Sequence, residues 1–229
     1  TLPKPVCEFT CSFGNAWAAY PADAVPATLT TWVFERLPAG GNSWNRETPA
    51  MTIPERLCAA TTEQANVPGL SGEREGKVVL PVLQGKMRVA PDGSLWAVTY
   101  DWRLQGGRAR YVPVFLRSTD GGHAWRLQGV VPYSSDVTID PQAETRDGFT
   151  EPDYEFMPDG SIICLMRTSD GCGVGPLLLV RSTDGAQTWS KPAYFDAFGK
   201  MPQLMTLKNG TTLASYGQSG GPGYFVVRA

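Results

Sequence analysis

Apolar residues in this chain come in short runs separated by turn-forming residues. Val112-Pro-Val-Phe-Leu116, Leu177-Leu-Leu-Val180 and Thr31-Trp-Val-Phe-Glu35 are rich in the β-branched, aliphatic and aromatic side chains that suit a pleated surface. Pro91-Asp-Gly93, Pro158-Asp-Gly160 and Asn209-Gly210 interrupt such runs with residues that favour tight turns. No stretch sustains a 3.6-residue apolar period, so the pattern predicts many short strands and few helices.

The runs recur in step. Arg117-Ser-Thr-Asp-Gly-Gly-His-Ala-Trp125 and Arg181-Ser-Thr-Asp-Gly-Ala-Gln-Thr-Trp189 share the pattern Ser-Thr-Asp-Gly-x-x-x-Trp. Arg36-Leu-Pro-Ala-Gly-Gly-Asn-Ser-Trp44 is a worn copy with Ala39 at the Asp position. The chemistry suits a hairpin turn. Ser118 and Asp120, like Ser182 and Asp184, offer oxygens to loop N–H groups, glycines such as Gly122 supply positive φ, and Trp125 and Trp189 anchor the returning strand. A second marker is a turn glycine leading into a strand, at Gly14, Gly93, Gly160 and Gly210. From residue 14 to 44, 93 to 125 and 160 to 189 the two markers keep a near-constant offset.

Each repeat holds about four short β-runs, and repeated four-stranded units point to an all-β propeller. A β-sandwich would explain the strands but not their in-step repetition. The units are expected at residues 1–50, 78–132, 150–196 and 197–229, with 51–77 an insertion or linker. That is roughly three and a half blades, whereas propellers close with about four to eight. The expectation is therefore a single partial propeller domain, an internal piece of a longer protein, inactive and poorly soluble alone.

Composition excludes more than it suggests. The 20 basic and 22 acidic residues nearly balance, so no nucleic-acid footprint is present, and no apolar run is long enough to cross a membrane. Thr1-Leu-Pro-Lys4 lacks a signal-peptide pattern. Five cysteines (Cys7, Cys11, Cys58, Cys164 and Cys172) leave at least one unpaired, and Cys7 and Cys11 are spaced to bridge in an oxidising compartment. His123, the only histidine, sits inside a turn phrase, which argues against a metal site and against a Ser-His-Asp triad. No cofactor is expected.

One segment departs from the repeat. Gly148-Phe-Thr-Glu-Pro-Asp-Tyr-Glu-Phe-Met-Pro-Asp-Gly160 places Glu151, Asp153 and Glu155 ahead of a strand that ends in Arg167. Residues symmetric about an antiparallel turn face each other, and the midpoint of 151 and 167 falls on the Pro-Asp-Gly turn. Glu151 and Arg167 are thus expected at the same end of one hairpin. Without further information such a pair reads as a surface ion pair of small energetic weight.

The Ser-x-Asp-x-Gly-x-x-Trp phrase resembles the Asp box of the sialidase (neuraminidase) superfamily, six-bladed propellers. The Glu151–Arg167 segment is similar to that family's strand pair, in which a Glu is followed sixteen residues later by an Arg across a Pro-Asp-Gly-type turn. The resemblance implies that Glu151 activates a tyrosine nucleophile and that Arg167 helps to clamp a substrate carboxylate. The implied reaction is retaining release of a terminal sialic acid. A phenol nucleophile avoids the repulsion a carboxylate would meet at a carbon that already bears one, and arginines give bidentate anion recognition.

Other family positions are matched less closely. Lys86-Met-Arg-Val-Ala90 echoes an arginine motif of the family's first blade, making Arg88 a second substrate-binding candidate, although it lies only about one blade before Glu151. Asp101-Trp-Arg103 reads as a strand end of an intermediate blade. Tyr216 and Arg228 lie within reach as tyrosine and arginine candidates, with Tyr224 beside them. Ser118, Asp120, Gly122, Trp125, Ser182, Asp184 and Trp189 are expected to be structural, since in the family the boxes sit on outer turns. The implied partner is a sialoglycan or another small carbohydrate, and the implied location is secreted, periplasmic or at the cell surface. The alternative is a non-catalytic Asp-box propeller that binds glycans or proteins.

Overall fold

The computed structural model describes residues 87–105, 108–169 and 175–217, together with residues 41–43 and the backbone of further short strands. The strands of the N-terminal part are β1 (Pro5–Cys7), β2 (Ala19–Pro21), β3 (Thr28–Leu29), β4 (Phe34–Arg36), β5 (Asn45–Glu47), β6 (Ala50–Thr52) and β7 (Lys77–Val79). β4 and β5 pair antiparallel on either side of the worn turn phrase, whose Ala39 lies outside the described residues. The proposed linker thus begins and ends in strand, at β6 and β7, while residues 53–76 lie outside the described residues.

Two antiparallel meanders of four strands follow. The first comprises β8 (Val82–Val89), β9 (Leu95–Gln105), β10 (Arg108–Ser118) and β11 (Ala124–Val130). The second comprises β12 (Gly148–Phe156), β13 (Ile162–Ser169), β14 (Leu177–Ser182) and β15 (Ala193–Asp196). A third meander contains β16 (Lys200–Thr206), β17 (Thr212–Gly217) and β18 (Phe225–Arg228). A single 3-10 turn, Ala143–Thr145, is the only helical element among the described residues. Asp101-Trp-Arg103 is not a strand end, because β9 runs on to Gln105 and pairs with β10 throughout.

Both faces of the middle meander are buried, which identifies the architecture. Along β13, Ile162, Cys164 and Met166 join Trp96, Val98 and Phe115 of the first meander in one apolar cluster. The intervening Leu165 packs on the other side, with Leu177, Leu204, Ala214 and Tyr216. A strand covered on both faces reads as a continuous apolar run, as Leu177-Leu-Leu-Val180 does, whereas a half-solvated sheet would alternate. Meanders stacked face to face in this way are the blades of a β-propeller, with β12 beside β8 and β16.

Two local devices set the blades. In the first, Arg117 Nη2 pairs with Asp92 Oδ2, and its Nε donates to Ser94 Oγ at 3.0 Å. In the second blade Arg181 pairs with Asp159, and its Nε donates to Ser161 Oγ at 2.9 Å. The arginine heading each Asp-box phrase therefore grips the Pro-Asp-Gly turn of its own blade, which is why the two sequence markers keep step. Between blades, β10 touches the start of β12 through Tyr111 and Gly148. Gly148 has φ +126°, and a Cβ there would lie 2.2 Å from the Tyr111 carbonyl oxygen, so both conformation and space require glycine.

Candidate active site

The first strand of each blade carries a bulge. The pairing of β12 with β13 shifts between Thr150 and Asp153, that of β16 with β17 between Lys200 and Gln203, and that of β8 with β9 between Gln84 and Arg88. Bulges re-aim side chains at strand ends. Glu151 sits on its bulge with φ 50° and Met201 on the next blade's with φ 48°, a left-handed conformation uncommon outside glycine. Such a conformation costs on the order of 1–3 kcal/mol and persists where the surroundings enforce it.

The bulge delivers Glu151 to Arg167. Arg167 Nη1 donates to Glu151 Oε1 at 2.7 Å, and the Met201 backbone N–H donates to Glu151 Oε2 at 2.8 Å. The two side chains are 11% and 14% exposed, so this is not the open surface pair that a bland reading of the sequence expects. The Glu151 carboxylate is held from two blades at once. Arg167 is only partly used: its Nε is buried without a hydrogen-bond partner among the described residues, as is the hydroxyl of Thr150, the residue directly opposite it across the sheet. Buried polar atoms left open in this way are uncommon, and the Tyr154 hydroxyl and Trp189 indole within the blades are two more among the described residues. Thr150 carried no signal in the sequence, since its role depends on the register the bulge creates.

Arg88 occupies a different position, inside the stack of blades. Its Nη1 and Nη2 donate to the two oxygens of Asp153 at 2.9 and 3.1 Å. Nη2 also donates to the Leu204 carbonyl at 2.9 Å, and Nε lies 3.3 Å from Glu155. The Leu204 N–H in turn donates to Asp153 at 2.6 Å. The guanidinium lies 4.7 Å from the centre of the Tyr154 ring. The side chain nominated for substrate binding thus links β8, β12 and β16. Asp153 and Glu155, which the sequence grouped with Glu151, belong to this link.

Tyr216 is 1% exposed, stacks edge-on against Phe195 and donates its hydroxyl to Asp196. The described partners of Glu151 are Arg167 and Met201, and no tyrosine hydroxyl is among them. Arg228 pairs through its backbone with Ala214 on the third blade, and its side chain and Tyr224 lie outside the described residues.

The Asp boxes are built as their chemistry dictates. Gly122 N–H donates to Ser118 Oγ at 2.9 Å, Ala124 N–H to Asp120 at 3.0 Å, and the buried Trp125 indole to the Gly122 carbonyl at 3.1 Å. In the second copy Ala186 N–H donates to Ser182 Oγ, while Asp184 accepts from Gln187, Thr188 and the Thr188 hydroxyl. The Thr188 hydroxyl and N–H hold the Asp184 carboxyl at about 2. Trp189 packs against Phe115 of the preceding blade, with ring centres 4.9 Å apart. Both boxes lie in the turn between third and fourth strands, whereas Glu151 begins a first strand. Cys164 is buried as a free thiol, its ionisation suppressed by burial and by the nearby Asp153. Among the described residues no cluster of His, Cys, Asp and Glu could hold a metal ion, and no helix is long and apolar enough to cross a membrane.

No protein-family model matches the sequence, and no curated protein matches it. Solved structures do resemble the fold. A protein of unknown function from Dyadobacter fermentans superposes with a TM-score of 0.64 at 19% identity, covering 93% of this chain and 54% of its own. The GH93 α-L-arabinofuranosidase of Fusarium graminearum, solved with arabinobiose, gives 0.50 at 15% identity, covering 86% of this chain and 53% of its own. An α-L-arabinanase of Penicillium chrysogenum gives 0.51 at 14% identity, covering 99% and 67%. This chain therefore spans about half the length of the first two and about two thirds of the third. The fold is a β-propeller of the kind glycosidases use.

Proposed function

We propose that the intact protein is a glycoside hydrolase that removes a terminal, carboxylate-bearing sugar of the sialic acid class with retention of configuration. The observation that carries this reading is the Glu151–Arg167 pair: a nearly buried carboxylate with an arginine that still has a buried donor to offer. Arg167 binds the substrate carboxylate through the donors that Glu151 leaves open. Glu151 takes the proton from a tyrosine hydroxyl as its oxygen bonds to the anomeric carbon and the glycosidic C–O bond breaks. Water then attacks the anomeric carbon, giving its proton to the group that had protonated the leaving oxygen, and the tyrosine leaves and recovers its proton from Glu151. The tyrosine and the proton donor to the leaving group are not assigned to residues of this chain.

The test is hydrolysis of a fluorogenic sialoside by the intact protein, with Glu151→Gln and Arg167→Ala as variants. Turnover that falls by at least about 10² in each variant supports the reading, and an inert intact protein rejects it. The competing reading is a glycan- or protein-binding Asp-box propeller without catalysis. It is favoured by one observation, that Glu151 contacts no tyrosine hydroxyl among the described residues. Binding of a sialoside without turnover would select it.

A further inference from the structure

An open depression of about 320 Å³ is lined by Asp140, Gln142, Arg146, Pro176, Tyr194 and Phe198, among others. Its residues come from the segment leading into β12, from the residues just before β14, from β15 and from the connection between β15 and β16. Those segments lead directly to the site: Pro176 precedes Leu177, which pairs with Arg167, and Phe198 lies three residues before Met201, whose N–H holds Glu151. The volume is at the lower end of the roughly 300–1,000 Å³ range of small-molecule sites.

The walls combine two kinds of surface. Tyr194 and Phe198 are 52% and 40% exposed and contribute to the lining, where apolar burial gives no reason for them to be aromatic. At the base Arg146 and Asp140 form a buried pair, with Nε to Oδ2 at 2.8 Å and Nη2 to Oδ1 at 3.0 Å. The pair is electrically self-compensated, so the depression presents polar edges without net charge. The Gln142 side-chain amide is exposed and has no described partner. Aromatic faces with an apolar body, a few polar groups at fixed positions and no net charge suit a ligand that is itself two-faced and neutral. A sugar ring meets that description, with C–H faces to cover the aromatics and hydroxyl edges to meet Gln142 and the Tyr194 hydroxyl.

We infer that this depression is a second sugar subsite, which takes a neutral unit of the glycan whose terminal residue binds at Glu151 and Arg167. The inference rests on the proposed carbohydrate function, but it concerns different residues and is tested separately. Saturation-transfer NMR on the intact protein, with lactose and arabinobiose as probes, should show transfer to at least one of these neutral disaccharides. Tyr194→Ala and Phe198→Ala should each weaken that binding about tenfold, while Tyr194→Phe, which keeps the ring, should retain most of it. Because both residues are exposed, the fold should survive, which the circular dichroism of each variant checks. Transfer to neither probe, or insensitivity to both alanine variants, would overturn the subsite. Disaccharide binding with these dependences in a protein inert towards sialosides would uphold the subsite while rejecting the acidic-sugar reading of Glu151 and Arg167.

Discussion

Arg167 and Glu151 are bonded at 2.7 Å without being cross-strand partners: the backbone sets Thr150 opposite Arg167, and Glu151 rides on the bulge beside it. The same carboxylate also accepts the Met201 N–H from the following blade. Glu151→Ala should therefore destabilise the protein by about 1–3 kcal/mol, the usual result of stranding buried polar partners. Glu151→Gln, which can still accept from Met201, should lose less. Urea denaturation of the two variants measures the difference, and equal stability would show that the inter-blade bond contributes nothing.

How far this pair was legible in the sequence has a physical limit. Symmetry about Pro158-Asp-Gly160 placed Glu151 and Arg167 at one end of a hairpin, because turn position alone sets antiparallel register. The bulge is invisible to that argument, and so are the open Thr150 hydroxyl and the Met201 contact that follow from it. The blades were legible because strand, turn and tryptophan repeat in step. The grip of Arg117 on Asp92 was not, although it recurs as Arg181 on Asp159, since the partners are 25 and 22 residues apart in sequence and nothing in the markers pairs them. Arg88 was legible as a motif but not in its contacts: local similarity to a substrate-binding motif made it a candidate, while its partners lie 65 and 116 residues away in two other blades.

The Arg88–Asp153 link should be a principal stability determinant of the described region. Asp153 is fully buried and Arg88 only 10% exposed, so removing one partner strands a charge. Arg88→Met or Asp153→Leu alone should cost about 3–5 kcal/mol, whereas the apolar double replacement should recover much of the loss. Chemical denaturation of the double-mutant cycle checks this. Singles within about 1 kcal/mol of the parent would contradict it.

Gly129 should tolerate no side chain. A Cβ there would lie 1.9 Å from the Ala186 carbonyl oxygen, where the second Asp box packs on β11 of the preceding blade. Gln128 and Gln187 exchange side-chain bonds with backbone carbonyls across the same seam, at 2.8 and 2.7 Å. Gly129→Ala should cost about 1–3 kcal/mol and lower the melting temperature, as overpacking does. An unchanged melting temperature would mean that the seam is looser than described.

The Asp184 turn should be sensitive to acid. Its carboxyl is held at about 2 by the Thr188 hydroxyl and N–H, below the ordinary Asp value of ~3.9. A lowered folded-state value means the turn's contribution is complete above about pH 4 and declines as pH falls towards 2. Thr188→Val should move the Asp184 titration upwards, read by carboxyl carbon NMR, and shift acid unfolding to higher pH. A titration unchanged by Thr188→Val would contradict the assigned cause.

Recognition of a sugar carboxylate by Arg167, beside Glu151, underlies the proposed reaction. It is tested most directly by comparing kcat/KM of the intact protein for a fluorogenic sialoside and for the methyl ester of the same sialoside, in the parent and in Arg167→Ala. The parent should prefer the free acid by about 10² or more, an advantage of ~2.7 kcal/mol or more, and Arg167→Ala should abolish the preference. No turnover of either substrate by the intact parent, or a preference unchanged in Arg167→Ala, would contradict it.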